Sequence, residues 1–317
     1  MHCWLAVLRR RLWLSLAGLI VLSTIPLAAQ RIEDGILLPK QRVATGVIYS
    51  HDSWDHYWEG ALNRTNGNLG TVTTQNATFV GIFGPMRNLN AFVMVPYVWT
   101  HASQGVLHPQ SGLQDLTLAV KYQAVRLPLG DIGELHGIAA VSGSLPMTNY
   151  EPDDQPLSIG NHSRTIAPRA TVNLRMWDRL YADATAAYVF RDIVKLDRPY
   201  YYTNGQFVLS NQVPMPNQFQ YSVSAGYFHH DLLLVGEFIQ QQTRGGGDIR
   251  RQDMPFISNR VNLSRYGARA QVPIPHLHNL QAWFAFDKTY DGRNVGESDT
   301  FTSAVMYSVP LRRFGRQ

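Results

Sequence analysis

Two short histidine clusters are the residues of this sequence whose type and spacing could bind a metal. They are His229-His230-Asp231 and His276-Leu277-His278. A zinc site needs three or four converging ligands with supporting hydrogen bonds, and neither cluster supplies the others. Both clusters fall in predicted short turns. We therefore expect exposed polar turns here and predict no metal site.

No other motif in the sequence predicts catalysis. Gly245-Gly246-Gly247 lacks the strand-turn-helix setting and the Gly-Lys-Ser/Thr ending of a phosphate-binding loop, so it is interpreted as a flexible loop. Serine and histidine could pair in space, as they do in lipid hydrolases, but no local motif selects such a pair. We predict no enzyme activity and no cofactor.

Many of the other charged and polar side chains lie on segments with the periodicity of β-strands. In segment 179–193, Ala182 and Ala184 fall on one face, whereas Asp183 and Thr185 fall on the other. Such alternation is typical of a strand with one apolar face. The sequence predicts twelve strands, most of them with this alternation, at 42–52, 70–83, 89–101, 113–126, 135–146, 163–176, 179–193, 217–228, 232–243, 259–272, 280–290 and 299–309.

The lengths of the links between these strands distinguish a soluble sandwich from a membrane barrel. Short links, such as Trp177-Asp178, alternate with mostly longer polar ones, such as 147–162 and 194–216. An even number of antiparallel strands with this alternation is typical of bacterial outer-membrane barrels. Closure also leaves no unpaired backbone group in lipid. We therefore predict an all-β fold, a closed antiparallel up-and-down transmembrane β-barrel of about twelve strands.

Charged residues on these strands are predicted to point into the lumen, because charge on the lipid face costs on the order of 2–4 kcal/mol at mid-depth. Two interpretations of this lining stay open. It could be a selectivity surface, like the charged rings of pores, or a set of salt bridges that plug and brace a narrow barrel. Bracing is slightly favoured, and the two are compatible. The candidate lumen-lining residues are Lys121, Arg169, Arg175, Asp183, Glu237, Arg265, Arg269 and Asp287.

Aromatic residues near the strand ends predict girdles at the two lipid interfaces, with ordinary core aromatics as the alternative. The long loops at 53–69 and 194–216 carry further aromatics. For these, anchoring at the interface is slightly favoured over stacking against a ligand. The girdle candidates are Tyr97, Trp99, Tyr188, Phe190, Trp283, Phe286 and Tyr307.

The N-terminal residues predict export. Three arginines, Arg9 to Arg11, precede an apolar run from Leu12 to Leu22, and small residues follow at Ala28-Ala29. This order is typical of a secretory signal peptide cleaved after Ala29. A membrane-anchoring helix is the alternative, but the run is shorter than the roughly 20 residues that a span needs. We predict a signal peptide over residues 1–29 and a barrel domain over residues 30–317.

Cleavage would change both the thiol content and the charge of the chain. It removes Cys3, the only cysteine, which excludes disulfides and thiolate sites from the mature protein. It also removes three of the 28 basic residues and no acidic one, which leaves 25 basic against 23 acidic residues. This balance gives no support to nucleic-acid binding.

The segment from Ser111 to Tyr122, Ser-Gly-Leu-Gln-Asp-Leu-Thr-Leu-Ala-Val-Lys-Tyr, resembles a strand of the outer-membrane proteins grouped as the meta-pathway of phenol degradation family. That strand reads Gly-x-x-Asp-Leu-x-Leu-x-x-Lys-Tyr. The stretch Phe83-Gly84-Pro85-Met86-Arg87-Asn88-Leu89-Asn90, followed by Val95-Pro96-Tyr97-Val98, is similar to the family's turn and its Val/Leu-Pro-Tyr strand. Gly143-Ser144-Leu145-Pro146 resembles its Leu-Pro-Thr-Gly strand end, with Met147-Thr148-Asn149 in place of Thr-Gly.

This resemblance implies a barrel that lets hydrophobic or aromatic compounds cross the outer membrane, distantly similar to the fatty-acid and hydrocarbon channels. We expect passive uptake of a small compound of this kind and a location in the bacterial outer membrane. The implied partners are outer-membrane lipid, the barrel assembly machinery and the solute. The alternative is a structural or adhesive barrel with a plugged lumen and ligand-binding outer loops. An outer-membrane lipid hydrolase is less favoured.

Overall fold

The computed structural model describes residues 30–229, 232–251, 254–277 and 279–311. The predicted signal peptide, residues 1–29, lies outside the described residues, as do His230, Asp231 and His278. Apart from one 3-10 turn at Gly130–Ile132, the regular structure in this part of the chain is β-strand. Among the described residues, no helix is long and apolar enough to cross a membrane.

Twelve long strands form one antiparallel sheet, and their bounds lie close to those predicted from the sequence. A separate three-residue strand, Ser111–Leu113, precedes the strand Asp115–Pro128 and pairs, like it, with the strand Leu89–Ala102. The strands are β1 (Arg42–Trp54), β2 (Val72–Met86), β3 (Leu89–Ala102), β4 (Asp115–Pro128), β5 (Gly133–Pro146), β6 (Thr165–Met176), β7 (Leu180–Arg191), β8 (Gln218–His229), β9 (Leu232–Thr243), β10 (Asn262–Pro273), β11 (Leu280–Arg293) and β12 (Asp299–Pro310).

The sheet closes on itself. Each strand pairs with its neighbour along the chain, and β1 also pairs with β12, from Arg42 opposite Pro310 to Ser53 opposite Asp299. This last pairing removes the edges that an open sheet would expose to lipid. The strands are 12 to 15 residues long, which exceeds the 9–11 residues that a tilted strand needs to cross a bilayer. The predicted closed up-and-down barrel is confirmed.

The burial of alternate side chains identifies the outer face of the barrel. On β6, Ile166 and Val172 are 61% and 52% exposed, whereas Thr171 and Asn173 are 3% and 0% exposed. A soluble sheet buries its apolar face, and this sheet exposes it. The outer surface is therefore apolar and suited to lipid, and the polar faces of the strands point into the lumen.

The links between strands are sorted by length between the two ends of the barrel. One end has the links 87–88, 129–132, 177–179, 230–231 and 274–279, and the chain enters β1 at this same end. The other end has longer links at 55–71, 103–114, 147–164, 192–217 and 244–261, together with the short link 294–298. In bacterial barrels the long-link end faces outward, and we call it the outer end.

One girdle prediction is wrong. Trp283 is 7% exposed and packs inside the barrel with Val80, Ile82 and Phe92. The odd-numbered positions of this part of β11 face the lumen, and a shift of one residue along a strand moves a side chain to the other face. Phe284, which is 56% exposed, is the aromatic residue that faces lipid there.

Candidate functional site: the plugged lumen

Residues 30–41, which precede β1, cross the lumen of the barrel. Near one end of this segment Arg31 binds Glu237 of β9, and near the other end Leu38 binds Asn90 of β3. Five strands lie between β3 and β9 in either direction around the closed sheet of twelve, so these two strands lie on opposite walls. A segment that contacts both walls must lie inside the barrel. We call residues 30–41 the plug segment.

Lys121 of β4 is the central anchor of the plug segment. Its side chain is 0% exposed, and its Nζ donates to Asp34 Oδ1 at 2.9 Å, to the Arg31 carbonyl at 2.9 Å and to the Ile36 carbonyl at 2.8 Å. An ammonium group has three donors, and all three bind the plug segment. Asp34 in turn accepts the backbone N–H groups of Arg31 and Ile36, so the segment folds into a bend around the lysine.

Further charged pairs hold the same segment. Arg31 Nη1 donates to both carboxylate oxygens of Glu237, at 2.8 and 2.9 Å. Glu33 lies 3.5 Å from the guanidinium of Arg169 on β6. Hydrogen bonds to ionised groups are roughly twice as strong as neutral ones, and their geometry fixes the position of the segment. The plug segment is therefore held by ion pairs to three different strands.

Strands β6 and β7 hold the middle of the plug segment close to the wall. Asp183 accepts the Gly35 N–H at 3.0 Å and the Asn173 amide at 2.6 Å, and Arg175 donates to the Gly35 carbonyl at 3.3 Å. Thr185 donates to the carbonyl of Glu33 at 2.8 Å. A Cβ at position 35 would overlap the side chain of Asn173, so only glycine fits at this approach.

Apolar contacts complete the fit of the plug segment. Leu38 is 1% exposed and packs in the cluster that contains Trp283. Its backbone N–H and carbonyl both bind the side-chain amide of Asn90, at 2.7 and 3.1 Å. Ile36 packs in a second cluster with Tyr181 and Leu233. The plug segment therefore contacts the lumen wall through hydrogen bonds of its polar groups and through packing of its apolar side chains.

Three of the candidate lumen residues form no hydrogen bond or ion pair with the plug segment in the described structure. Arg265 donates to the hydroxyls of Thr289 and Ser298, at 3.2 and 3.4 Å. Arg269 lies over the ring of Trp283, at 5.9 Å from its centroid. The Nε and Nη1 atoms of Arg269 and the Oδ1 atom of Asp287 are buried without a hydrogen-bond partner among the described residues.

The eight candidate residues thus divide between two roles in the structure. Those that contact the plug segment are Lys121, Arg169, Arg175, Asp183 and Glu237. Those that line the remaining lumen are Arg265, Arg269 and Asp287. The plug segment itself was not predicted. The charged run at Arg31, Glu33 and Asp34 just before the first strand is the signal that could have indicated it.

The long links pack into a layer over the outer end of the barrel. Tyr201 and Phe256 stack at 5.2 Å between ring centroids within an apolar cluster that joins links 192–217 and 244–261. Trp58, in link 55–71, is also buried. Trp58 and Tyr201, which belong to the predicted loops 53–69 and 194–216, are therefore part of a structural core and are not free to bind a ligand. Tyr200, Tyr202 and Phe207 remain exposed.

An ion pair joins the end of β11 to link 244–261. Arg293 donates to both carboxylate oxygens of Asp248, with Nε 2.7 Å from Oδ1, and Asn294 Nδ2 donates to the same Oδ1 at 2.9 Å. The hydrogen bonds from Arg293 and then from Asn294 hold the pKa of Asp248 below its usual value. Asn294 Oδ1 accepts the N–H groups of Gly60 and Ile249. The outer layer is thus connected across three links.

Of the two histidine clusters, the structure describes His229, His276 and Leu277. Within residues 30–229, 232–251, 254–277 and 279–311, no group of three or more His, Cys, Asp or Glu side chains is arranged to hold a metal. His230, Asp231 and His278 are not among these residues.

A closed sheet with an apolar outer face and a polar, plugged lumen defines a transmembrane β-barrel of the outer-membrane type. Residues 63–304 match the model of the family described as putative MetA-pathway of phenol degradation. This match covers most of the chain, and the protein belongs to that family. The family resemblance drawn from the sequence motifs is confirmed.

One solved outer membrane channel has the same fold, and two other solved barrels are more weakly similar. The COG4313 outer membrane channel from Pseudomonas putida F1 superposes with a TM-score of 0.70 at 12% identity, over 89% of this chain and 100% of that one. The NanC porin gives 0.45 at 7% identity, over 82% and 98%. The CymD monoaromatic hydrocarbon channel gives 0.39 at 8% identity, over 87% and 90%. No curated protein matches the chain significantly.

Proposed function

We propose that this protein is a passive channel of the bacterial outer membrane that admits small hydrophobic or aromatic compounds. The closed barrel with its apolar outer face supports a membrane location, and the similarity of the fold to an outer membrane channel supports transport. The family description supports aromatic compounds as the solute class. No catalytic step and no cofactor form part of this proposal.

The observation that carries the proposal is that the lumen is filled by a segment that is not part of the sheet. None of residues 30–41 belongs to a strand, and the segment is held in the lumen by side-chain contacts and ion pairs. A lumen filled only by strand side chains can open only as far as those side chains change rotamer. A lumen filled by a separate segment can open when that segment shifts, and the backbone pairing of the wall is unchanged.

A second candidate function is a structural or adhesive barrel whose plug never leaves. The full set of hydrogen bonds made by Lys121 Nζ and the packed outer layer around Tyr201 favour it. In that case the exposed loop aromatics, Tyr200, Tyr202 and Phe207, would contact the partner. Permeation separates this candidate from a channel.

The test is a liposome permeation assay with the wild-type protein and a variant in which residues 31–36 are replaced by glycine and serine. This replacement removes Arg31, Glu33 and Asp34 and leaves every strand unchanged. The wild type is expected to admit a small aromatic solute faster than protein-free liposomes, and the variant is expected to admit it faster still. The matched control is the same replacement at residues 103–108, five of which are exposed.

Permeation at the rate of protein-free liposomes by both folded proteins would contradict a channel and favour the structural barrel. Folding is checked by heat-modifiable gel migration, since a barrel in detergent runs as a compact species until it is boiled.

Export through a cleaved signal peptide, and assembly by the barrel assembly machinery, are parts of the same proposal. The charge and hydropathy order of residues 1–29 supports cleavage after Ala29. Mass spectrometry of the protein from outer-membrane fractions is expected to give a mature chain that begins at Gln30. An uncleaved chain, or a chain recovered in the inner membrane, would contradict it.

A further inference from the structure

A hollow of about 510 Å³ lies on the lipid-facing surface of the barrel, over β4 to β7. It lies where four neighbouring strands each place one residue side by side on the outer face, and one of these four residues is a glycine. Leu118, Gly143, Ile166 and Phe190 are register partners on these four strands, and only Gly143 has no side chain. The volume is within the range of small-molecule sites, and the walls are aliphatic and aromatic.

A cation borders this hollow on its outer side. Arg164 lies two residues before Ile166, on the same face, and its backbone continues the ladder because Asp192 N–H donates to the Arg164 carbonyl. The Arg164 side chain is exposed, and it forms no hydrogen bond or ion pair with any residue that the structure describes. Asp192 also borders the hollow, with its Oδ1 bound to the Ile193 N–H at 2.8 Å.

We propose that this hollow and Arg164 form a binding site for a phosphate-bearing acylated lipid of the outer leaflet, with one acyl chain in the hollow and the phosphate on the guanidinium. An apolar hollow in the membrane accepts an acyl chain. An unpaired guanidinium at the interface binds a phosphate through two parallel hydrogen bonds.

The charge and the shape are both needed for this assignment. Arginine at the end of a strand often extends to the interface merely to keep its charge in water, and it then needs no hollow beside it. Here the hollow and the cation are neighbours on the outer face of the sheet. The hollow lies at Gly143 and Ile166, and Arg164 lies two residues further toward the outer end. Leu116 and Leu145, which pair with each other, lie at the same level as Arg164. The site rests on the proposed outer-membrane location and does not depend on transport.

The test is native mass spectrometry of the mature protein in detergent with lipid A that carries its phosphates, and with the same lipid after the phosphates have been removed. The wild type is expected to retain one phosphorylated lipid and to bind the dephosphorylated lipid roughly five- to tenfold more weakly. Arg164→Gln is expected to show a loss of the same size for the phosphorylated lipid, and Arg164→Lys a smaller one.

The shape is tested by filling the hollow. Gly143→Leu places a side chain in it, and a Cβ there meets only the Thr165 carbonyl oxygen, at an ordinary contact distance of 3.5 Å. Binding of the phosphorylated lipid is expected to be lost. Gly236→Leu is the matched control, because Gly236 faces lipid on β9 and has nothing within 4 Å of its Cβ position.

Three results would overturn the proposal. They are equal binding of the two lipids by the wild type, unchanged binding by Arg164→Gln, and an equal loss in Gly143→Leu and Gly236→Leu. Heat-modifiable migration confirms that each variant is a folded barrel before lipid is added. A failure of liposome permeation would contradict the channel and would leave this lipid site unaffected, so the two proposals fail separately.

Discussion

Lys121 Nζ and Asp34 Oδ1 lie 2.9 Å apart, and the two side chains are 0% and 6% exposed. Lys121 belongs to the barrel wall and Asp34 to the plug segment, so this salt bridge joins a strand to a segment outside the sheet. Removing one partner of a buried pair leaves an uncompensated charge, which costs about 3–5 kcal/mol. The position of the plug is therefore coupled to the charge of one lysine.

Lys121→Met is expected to release the plug segment. Asp34 would be left without its cation, and the segment is free to move toward water because it is not paired in the sheet. The measurement is maleimide labelling of an Ile36→Cys background, in which this cysteine is the only one after Cys3 in the sequence. A cost of 3 kcal/mol or more corresponds to labelling about a hundredfold faster.

The control for this experiment is Arg126→Gln. Arg126 and Glu134 form an exposed pair, with side chains 65% and 34% exposed, and such pairs contribute about 0–1 kcal/mol. Labelling in this variant is expected to match the background. Unchanged labelling in Lys121→Met would show that the salt bridge does not hold the plug.

Gly35→Ala is expected to displace the plug segment by steric overlap. The new Cβ would overlap Asn173, which is buried and donates to Asp183, and such overpacking costs roughly 1–3 kcal/mol. Planar-bilayer recordings are expected to show more frequent openings than in the wild type. Gly67→Ala, where nothing lies within 4 Å, is expected to behave as the wild type. Identical recordings for both variants would contradict a tight fit at Gly35.

The barrel wall could be predicted from the sequence because its signals are local. Alternation along a strand and the lengths of links depend on neighbouring residues, so the segment around Asp183 was assigned to the correct strand and face. Trp283 was assigned to the wrong face because an aromatic residue near a strand end fits both a girdle and a lumen. Only the register with β10 and β12 fixes its direction.

The plug could not be predicted in the same way, because its contacts are remote in sequence. Arg31 and Glu237 are 206 residues apart, and Leu38 and Asn90 are 52 apart. Residues 30–41 have no strand periodicity, and their partners are defined only once the barrel is closed. The candidate lumen charges were found by alternation, but the groups that bind them were not.

Displacement of the plug is expected to make the channel prefer anions. Five of the eight candidate lumen residues are basic and three are acidic. Residues 31–36 of the plug segment contain one basic residue, Arg31, and two acidic residues, Glu33 and Asp34. The variant with residues 31–36 replaced by glycine and serine therefore exposes a lumen with a net positive lining. Reversal potentials in a potassium chloride gradient are expected to indicate anion selectivity.

Arg269→Gln in this variant is expected to reduce the selectivity, since Arg269 has two donors without protein partners. Arg126→Gln, which removes an exposed pair at the short-link end, is the matched control and is expected to leave the reversal potential unchanged. A preference for cations in the plug variant would contradict the charge assignment.

The outer layer is expected to loosen in acid. The pKa of Asp248 is lowered by Arg293, so the contact stabilises the layer fully above the pKa of a free aspartate, about 3.9, and loses its effect as the pH falls through the lowered value. A fluorophore on Met254→Cys, at an exposed position of link 244–261, is expected to gain mobility below about pH 4.

Asp248→Asn removes the titrating group and is the control for this pH dependence. Its fluorophore is expected to be more mobile at neutral pH, with little further change in acid. A wild-type transition that persists unchanged in Asp248→Asn would assign the acid response to another group.

The plug segment also constrains the order of assembly. Its hydrogen-bond partners lie on β3, β4, β6, β7 and β9, so no intermediate that lacks β9 offers the complete set of these contacts. Arg31, for example, cannot form its ion pair until Glu237, 206 residues later in the sequence, has joined the barrel. Leu38 also packs against Trp283 of β11 and Met306 of β12, so the apolar contacts of the plug segment are complete only when the last strands of the barrel have been added.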